Sequence, residues 1–328
     1  MRMMKAIQIP SKGEKMQLVK TPVPQPREGQ ALIRVEACGV CNGDSMAIKG
    51  ASPEYPRIPG HEVIGIVEEI GTGSTKWKIG ERVGIGWHGG NNQVTGLTMD
   101  GGYAEYMVAY EDSLSSIPNE LSALEAAPLM CAGETTFSAL RNSKARPGDL
   151  VAIQGIGGLG HLAVQYAKKA GFRTVAISRG SDKEDLVRQL GAHHYIDSEK
   201  EEPAQALQAL GGAKVILATA PNAKAISSLI NGLGSDSELI IVAGSGEQLE
   251  LSAMDFLKGP NTVRGSFTGQ AEEIQQTINF SVLTDVRPLI ETFPLERASE
   301  AYDKMMAAST RFRAVLSIST TNFSTTRL

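Results

Sequence analysis

"LVAIQGIGGLGHLAVQYAKKAG", residues 150–171, decides how the rest of the chain reads. An apolar β-type run leads into Gly155, Gly157 and Gly160, spaced G-x-G-x-x-G, and then into Leu159, Leu162, Ala163, Ala167 and Ala170, which make up a helix face. The glycine pattern alone is weak evidence, but between a strand and a helix it has the context that a dinucleotide-binding turn needs. Gly155 allows the tight turn, Gly157 lets the backbone approach a pyrophosphate, and Gly160 permits close packing of helix on sheet. Gly158 and Leu159 complete the loop, and unpaired N–H groups at the helix start would face the phosphates. A glycine-rich turn with no ligand is the alternative.

Outward from this turn the chain alternates strand and helix. Candidate strands are "LVAIQG", "TVAIS", "HHYID", "VILATA", "ELIIVAG" and "TVRGS", with candidate helices at 158–170, 183–190, 203–210 and 222–232. Near-continuous apolar strands between amphipathic helices predict a parallel sheet covered on both faces. Before residue 120 the pattern differs. "KAIQI", "ALIRVEA", "VIGIVEEIG", "ERVGIG" and "YAEYMVA" are short β runs between Gly and Pro punctuation. "SALEAAPLMCAGETTFSAL" then reads as helical, with Ser122 as N-cap and Glu125 at the capping-box position. After 270 come two more helical stretches and a last strand, "RAVLSI", and the polar tail "STTNFSTTRL" is expected to fray.

The end of the second parallel strand sets the cofactor. An acid there would bind the ribose 2′-OH of NAD. The position holds Ser178, followed by Arg179 and then Lys183. A hydroxyl and a guanidinium accept a 2′-phosphate that a carboxylate would repel, so NADP is expected, with NAD as the alternative. Arg179 and Lys183 could instead be a solvated helix start.

Composition narrows the classes. The chain has 328 residues, 41% hydrophobic and 21% charged, enough for two domains with real cores. Its 32 basic and 36 acidic residues give a net charge of −4 with no basic block, against nucleic acid as a partner. No apolar run reaches signal-peptide or membrane length, and three cysteines make no disulfide framework. A cytoplasmic protein is expected.

Those cysteines are Cys38, Cys41 and Cys131, in "EACGVCNGD" and "MCAGETT". With His61 in "PGHEVIG", Cys41 and Cys131 make a set of two thiols and an imidazole that suits catalytic zinc with one open position. Residues so far apart converge only through the fold, so spacing leaves the metal open. Asp44 could fix the His61 tautomer from behind.

At this point the chain resembles the zinc-dependent alcohol dehydrogenases of the medium-chain dehydrogenase/reductase family. The likeness runs from "MKAIQI" to "RFRAVLSI" through "GVCNGD", "PGHEVIGIVEEIG", "DGGYAEY", "CAGETTFSAL" and the glycine loop. The last third is most similar to the cinnamyl-alcohol-dehydrogenase-like branch with "AISRG", which commonly uses NADP. The resemblance implies an α/β fold: a GroES-like β domain over 1–131 and 268–328, interrupted at 132–267 by a Rossmann domain with a doubly wound parallel sheet. It implies zinc on Cys41, His61 and Cys131, with Glu62 as a carboxylate able to ligate transiently. It also implies hydride transfer between NADP and a small alcohol or aldehyde. Trp87 resembles a substrate-lining aromatic, though plain core packing is an equal account. Arg313 resembles a pyrophosphate-binding arginine, and Ser266 lies in a "GS" segment beside the nicotinamide. Cys38 is left as a buried bystander.

Two departures stand out. A Ser or Thr usual in the family is Gly43 here, so a hydroxyl relay for the alcohol proton is missing, and Ser45 or water would replace it. Alternatively, Gly43 serves a backbone with φ > 0. Between "GWH" and "DGGYAEY" the family's four-cysteine lobe is missing, so one zinc per chain is expected rather than two. His88 could edge the substrate pocket or sit on a turn; His161, opening the cofactor helix, reads as a capping or solvent-exposed residue, with contact to the cofactor as the alternative; His193 and His194 read as structural. A zinc-free quinone or enone reductase and a non-catalytic NADPH-binding protein are the competing functions, and a homo-oligomer is left open.

Overall fold

The computed structural model describes residues 1–73, 76–244, 246–257 and 259–318; the tail expected to fray lies outside the described residues. The chain divides into two compact units. The first comprises Met1–Cys131, Gly269–Val282 and Pro288–Leu328, and the second Ala132–Thr268 with Leu283–Arg287.

The first unit opens with a hairpin of β1 (Met3–Gln8) and β2 (Gln17–Pro22), followed by β3 (Gln30–Gly39). A short α1 (Ser45–Ile48) separates β3 from β4 (Val63–Ile70), β5 (Arg82–Ile85), β6 (Tyr106–Tyr110) and β7 (Leu114–Ser116). β3 is the organising strand. It pairs antiparallel with β4, from Ala31 opposite Ile70 to Cys38 opposite Val63, and with β6. Its buried Leu32, Ile33 and Val35 meet Val63, Val67, Val83, Ile85 and Met107 in one core. The unforeseen β2 and β7 carry little apolar alternation, which is why pattern reading passes over them.

The segment read as one helix is broken. α2 (Ala123–Ala126) has the expected capping box, with Ser122 Oγ accepting from Glu125 N and Glu125 Oε2 from Ser122 N. Pro128 has no N–H to continue the helical ladder, and residues 127–130 tighten to a 3-10 turn. Cys131 leaves helical geometry at φ −135° and ψ −69° before α3 (Ala132–Arg141) begins.

In the second unit, β8 (Leu150–Gln154), α4 (Gly160–Lys169), β9 (Arg173–Ser178), α5 (Glu184–Gln189) and β10 (His194–Asp197) run in alternation. α6 (Pro203–Ala209), β11 (Ala213–Ala218), α7 (Ala223–Ser228), β12 (Leu233–Ile241), α8 (Ala253–Leu257) and β13 (Thr262–Gly265) follow. The sheet is six-stranded and parallel, in the order β10-β9-β8-β11-β12-β13. Strand direction of growth reverses between β8 and β11, the switch point where such sheets bind ligands at their carboxyl ends. All five residues of β8 are buried, which explains its unbroken apolar run.

The chain then runs through α9 (Ala271–Thr284), β14 (Ile290–Pro294), α10 (Ala298–Met306) and β15 (Arg313–Ser317). β15 inserts between β14 and β3, completing the order β14-β15-β3-β4-β5-β7 with β6 also on β3. No helix among the described residues is long and apolar enough to cross a membrane.

Candidate metal centre and cofactor loop

Four donors converge in the first unit. Cys41 leaves the end of β3 as N-cap of a 3-10 turn at 42–44, and Asp44 Oδ2 accepts its N–H at 2.9 Å. His61 and Glu62 immediately precede β4, and Cys131 sits at the helix break. Ligand atoms of Cys41, His61, Glu62 and Cys131 all lie within 4.8 Å of one another. His61 is 1% exposed and Glu62 0%. His61 Nδ1 faces Asp44 Oδ1 at 2.9 Å, so that nitrogen carries the proton and Nε2 offers its lone pair. Nε2 is buried without a hydrogen-bond partner, as is Glu62 Oε2. Buried polar atoms normally have partners; these two are free to take an ion, and the donor set fits a metal.

Charge in the cluster is tightly balanced. Burial pushes the Glu62 carboxyl up to about 8, opposed by the Arg313 guanidinium that bonds its Oε1. Burial disfavours the Arg313 charge too, but Glu62 and Cys41 outweigh it and hold Arg313 above its ordinary value. The hydrogen bond between the thiols drives Cys41 well below the usual thiol range and Cys131 well above it. One thiolate beside a basic nitrogen is the state that takes up a soft divalent ion.

The glycine loop belongs to the second unit. Gly155 has φ +88°, and a Cβ there would meet Ala220. A Cβ on Gly160 would run into the Gly155 carbonyl, whereas one on Gly157 would meet nothing within 4 Å. Gly158 and Leu159 form the turn into α4, and Leu159 is an N-cap whose side chain makes no capping bond. Thr219 Oγ1, just past β11, donates to Gly155 O at 2.6 Å and ties the loop across the switch point. Ser178 ends β9 and Arg179 is exposed after it. Lys183 does not simply start a helix: its Nζ reaches back to Ile156 O at 2.8 Å. Asp197, opposite Ser178 on β10, accepts from Gly180 N and Glu199 N.

A model of the alcohol dehydrogenase GroES-like domain matches residues 27–119, and one of the zinc-binding dehydrogenases matches 158–282. The alcohol dehydrogenase patD of Penicillium expansum is 42% identical over 93% of this chain and 95% of its own. An alcohol dehydrogenase of Geobacillus stearothermophilus is 36% identical over 96% and 99%. Among solved structures, a cinnamyl alcohol dehydrogenase of Sorghum bicolor superimposes with a TM-score of 0.85 at 27% identity, covering 96% of this chain and 98% of that one. The chain belongs to the medium-chain, zinc-type alcohol dehydrogenases.

In this alcohol dehydrogenase the remaining candidates fall as follows. Trp87 packs on a small cluster with Ile9, Ala47 and Leu97, and also stands edge-on to His61, ring centroids 4.9 Å apart. Ser266 follows β13, its N–H on Ile241 O. Cys38 is buried on β3. His88 is half-buried on a bridge to Val94, and His193 Nδ1 accepts from Thr174 N beside His194 on β10. His161 corrects the exposed reading: it is fully buried, with Nδ1 on Gly157 O at 3.0 Å. Gly43 has no left-handed φ; space holds it as glycine, since a Cβ would lie 2.9 Å from His61 Cε1. Ser45 is buried at the start of α1, within reach of Tyr302.

Sequence reasoning passes over Tyr103 and Glu134 and does not foresee the partner of Arg313. Arg313, expected at the cofactor, is 4% exposed and paired with Glu62. Tyr103 donates to Asp44; its only signal is its place in "DGGYAEY". Glu134, a carboxylate inside the apolar run of α3, is fully buried and accepts from Thr268 Oγ1 at 2.7 Å.

Proposed function

We propose that this alcohol dehydrogenase holds one zinc ion per chain and moves hydride between a primary or secondary alcohol and NADP, in preference to NAD. The observation that carries the reading is the buried donor set with His61 Nε2 left without a protein partner. Two thiols, an imidazole and a carboxylate match zinc better than harder divalent ions. Cys41, His61 and Cys131 would hold the ion, with Glu62 as the fourth donor that Arg313 can draw away. When bound, zinc supplies a Lewis acid for the alcohol or carbonyl oxygen, and NADP supplies the hydride acceptor.

The protein's own groups prepare that chemistry. Asp44 keeps the His61 proton on Nδ1, so Nε2 stays a donor to metal. The permanent positive charge of Arg313 is paired with the Glu62 carboxylate, which limits how strongly that carboxylate would compete with substrate for the ion. At the cofactor, the Ser178 hydroxyl, Arg179 and Lys183 favour a 2′-phosphate by charge-assisted hydrogen bonds. The CAD of Helicobacter pylori, solved with NADP(H), is 27% identical with a TM-score of 0.83 over 96% of this chain and 98% of its own, which supports the same choice.

The test is metal analysis together with kcat/KM for both cofactors on a panel of alcohols. One zinc per chain and a higher kcat/KM with NADP are expected, and Ser178→Asp should shift preference toward NAD. Active protein without zinc overturns the metal reading, and a wild-type preference for NAD overturns the cofactor reading. Enone reduction in metal-free protein would favour the zinc-free reductase instead.

A further inference from the structure

We propose that Tyr103 is a positioning residue of the metal centre, acting through Asp44 to set the ring of His61 and the backbone of Cys41. The inference rests on the metal reading above and goes one layer further out. Asp44 is 4% exposed, and its carboxylate has three donors. Oδ1 takes the His61 Nδ1–H at 2.9 Å, while Oδ2 takes both the Cys41 N–H and the Tyr103 phenol, each at 2.9 Å. A single buried carboxylate therefore holds one ligand by its ring and another by its main chain. A buried charge keeps its position only when its lone pairs are satisfied. The phenol is the donor that belongs to neither ligand.

Tyr103 is itself firmly placed. It is fully buried, its N–H donates to Pro59 O at 3.0 Å, and its carbonyl accepts from Ile7 N at 2.8 Å. Gly60, next to His61, has φ +101°, and a Cβ there would lie 2.7 Å from Tyr103 Cε1. The ring thus packs directly on the loop that carries His61 and Glu62. Filling that space needs only an aromatic ring, and phenylalanine would do it. Orienting Asp44 needs the hydroxyl.

The experiment compares zinc release from the loaded wild type, Tyr103→Phe, Asp44→Asn and the double variant to a chromogenic chelator, and melting temperatures with and without zinc. Loss of an outer-shell partner typically costs roughly 10–100-fold in metal affinity. The phenol acts one bond further out, so Tyr103→Phe should release zinc about tenfold faster, near the low end of that range. Because it works through Asp44, the double variant should release zinc within about twofold of Asp44→Asn alone. The melting temperature should fall more with zinc bound than without. Release at the wild-type rate, independent effects in the double variant, or an equal fall in melting temperature with and without metal each overturn the proposal. Wild-type protein that takes up no zinc overturns the metal reading itself, and this inference with it.

Discussion

Gly43 shows what a missing side chain can do. From the sequence it had two accounts, a lost hydroxyl relay or a left-handed backbone, and the structure overturns the second and adds a steric reason for glycine. Its φ lies outside the left-handed range, and a Cβ would sit 2.9 Å from His61 Cε1 and 3.1 Å from Trp87 Cζ3. Contacts that close force a neighbour to move, and the neighbour is a candidate metal donor pinned by Asp44. Gly43→Ser should therefore lower zinc occupancy and reduce alcohol oxidation by about tenfold or more, measured as metal content beside kcat/KM. A faster rate with full zinc would restore the relay. Glycine in the cofactor loop works differently. Gly160 is held by the Gly155 carbonyl, whereas Gly157 borders open space, so one position serves packing and the other leaves room for something that is not protein. The packing role of Gly160 was legible because the motif sits between β8 and α4. The role of Gly43 was not, because only the fold puts His61 and Trp87 over it.

At the level of elements, the stretch 122–141 holds the sharpest contrast between pattern and outcome. Its start was legible: Ser-x-x-Glu satisfies two helix-end donors reciprocally, and both bonds are present. Ser122→Ala should destabilise the first unit by about 1 kcal/mol, read as a lower midpoint in its unfolding transition with activity at low temperature retained. The interruption at Cys131 was harder to see, since Ala and Leu on either side favour helix and only Pro128 argues against it. That interruption frees Cys131 from helical side-chain spacing, so it can join donors on other elements. The strand β15 hides its content in the same way. "RAVLS" reads as an apolar strand with a surface charge at its head, yet Arg313 is buried against Glu62. Pattern gives the period of an element; it does not say which end is covered.

Across the whole molecule the two chemistries separate by unit. Cys41, His61, Glu62 and Cys131 belong to the first unit, whereas the glycine loop, Ser178 and Lys183 belong to the second. Cys41→Ala should therefore abolish turnover and zinc retention while leaving the NADPH dissociation constant within about twofold of wild type, as is usual for substitutions that share no partners; fluorescence titration of the cofactor checks it. The parallel sheet was legible from its apolar strands and the turn at 155–160. The convergence of four donors from distant segments had only family likeness behind it, because no local spacing encodes a contact across tens of residues. The first unit is also discontinuous in the chain, and this has a consequence during synthesis. Glu62 leaves the ribosome 251 residues ahead of Arg313, its counter-charge. At 5–20 residues per second that delay is roughly 12–50 s. Until β15 arrives, the Glu62 carboxylate lacks its counter-charge, and burying it would favour the protonated form. All four donors are made before Arg313, so the charge that balances Glu62 joins the cluster only near the end of translation.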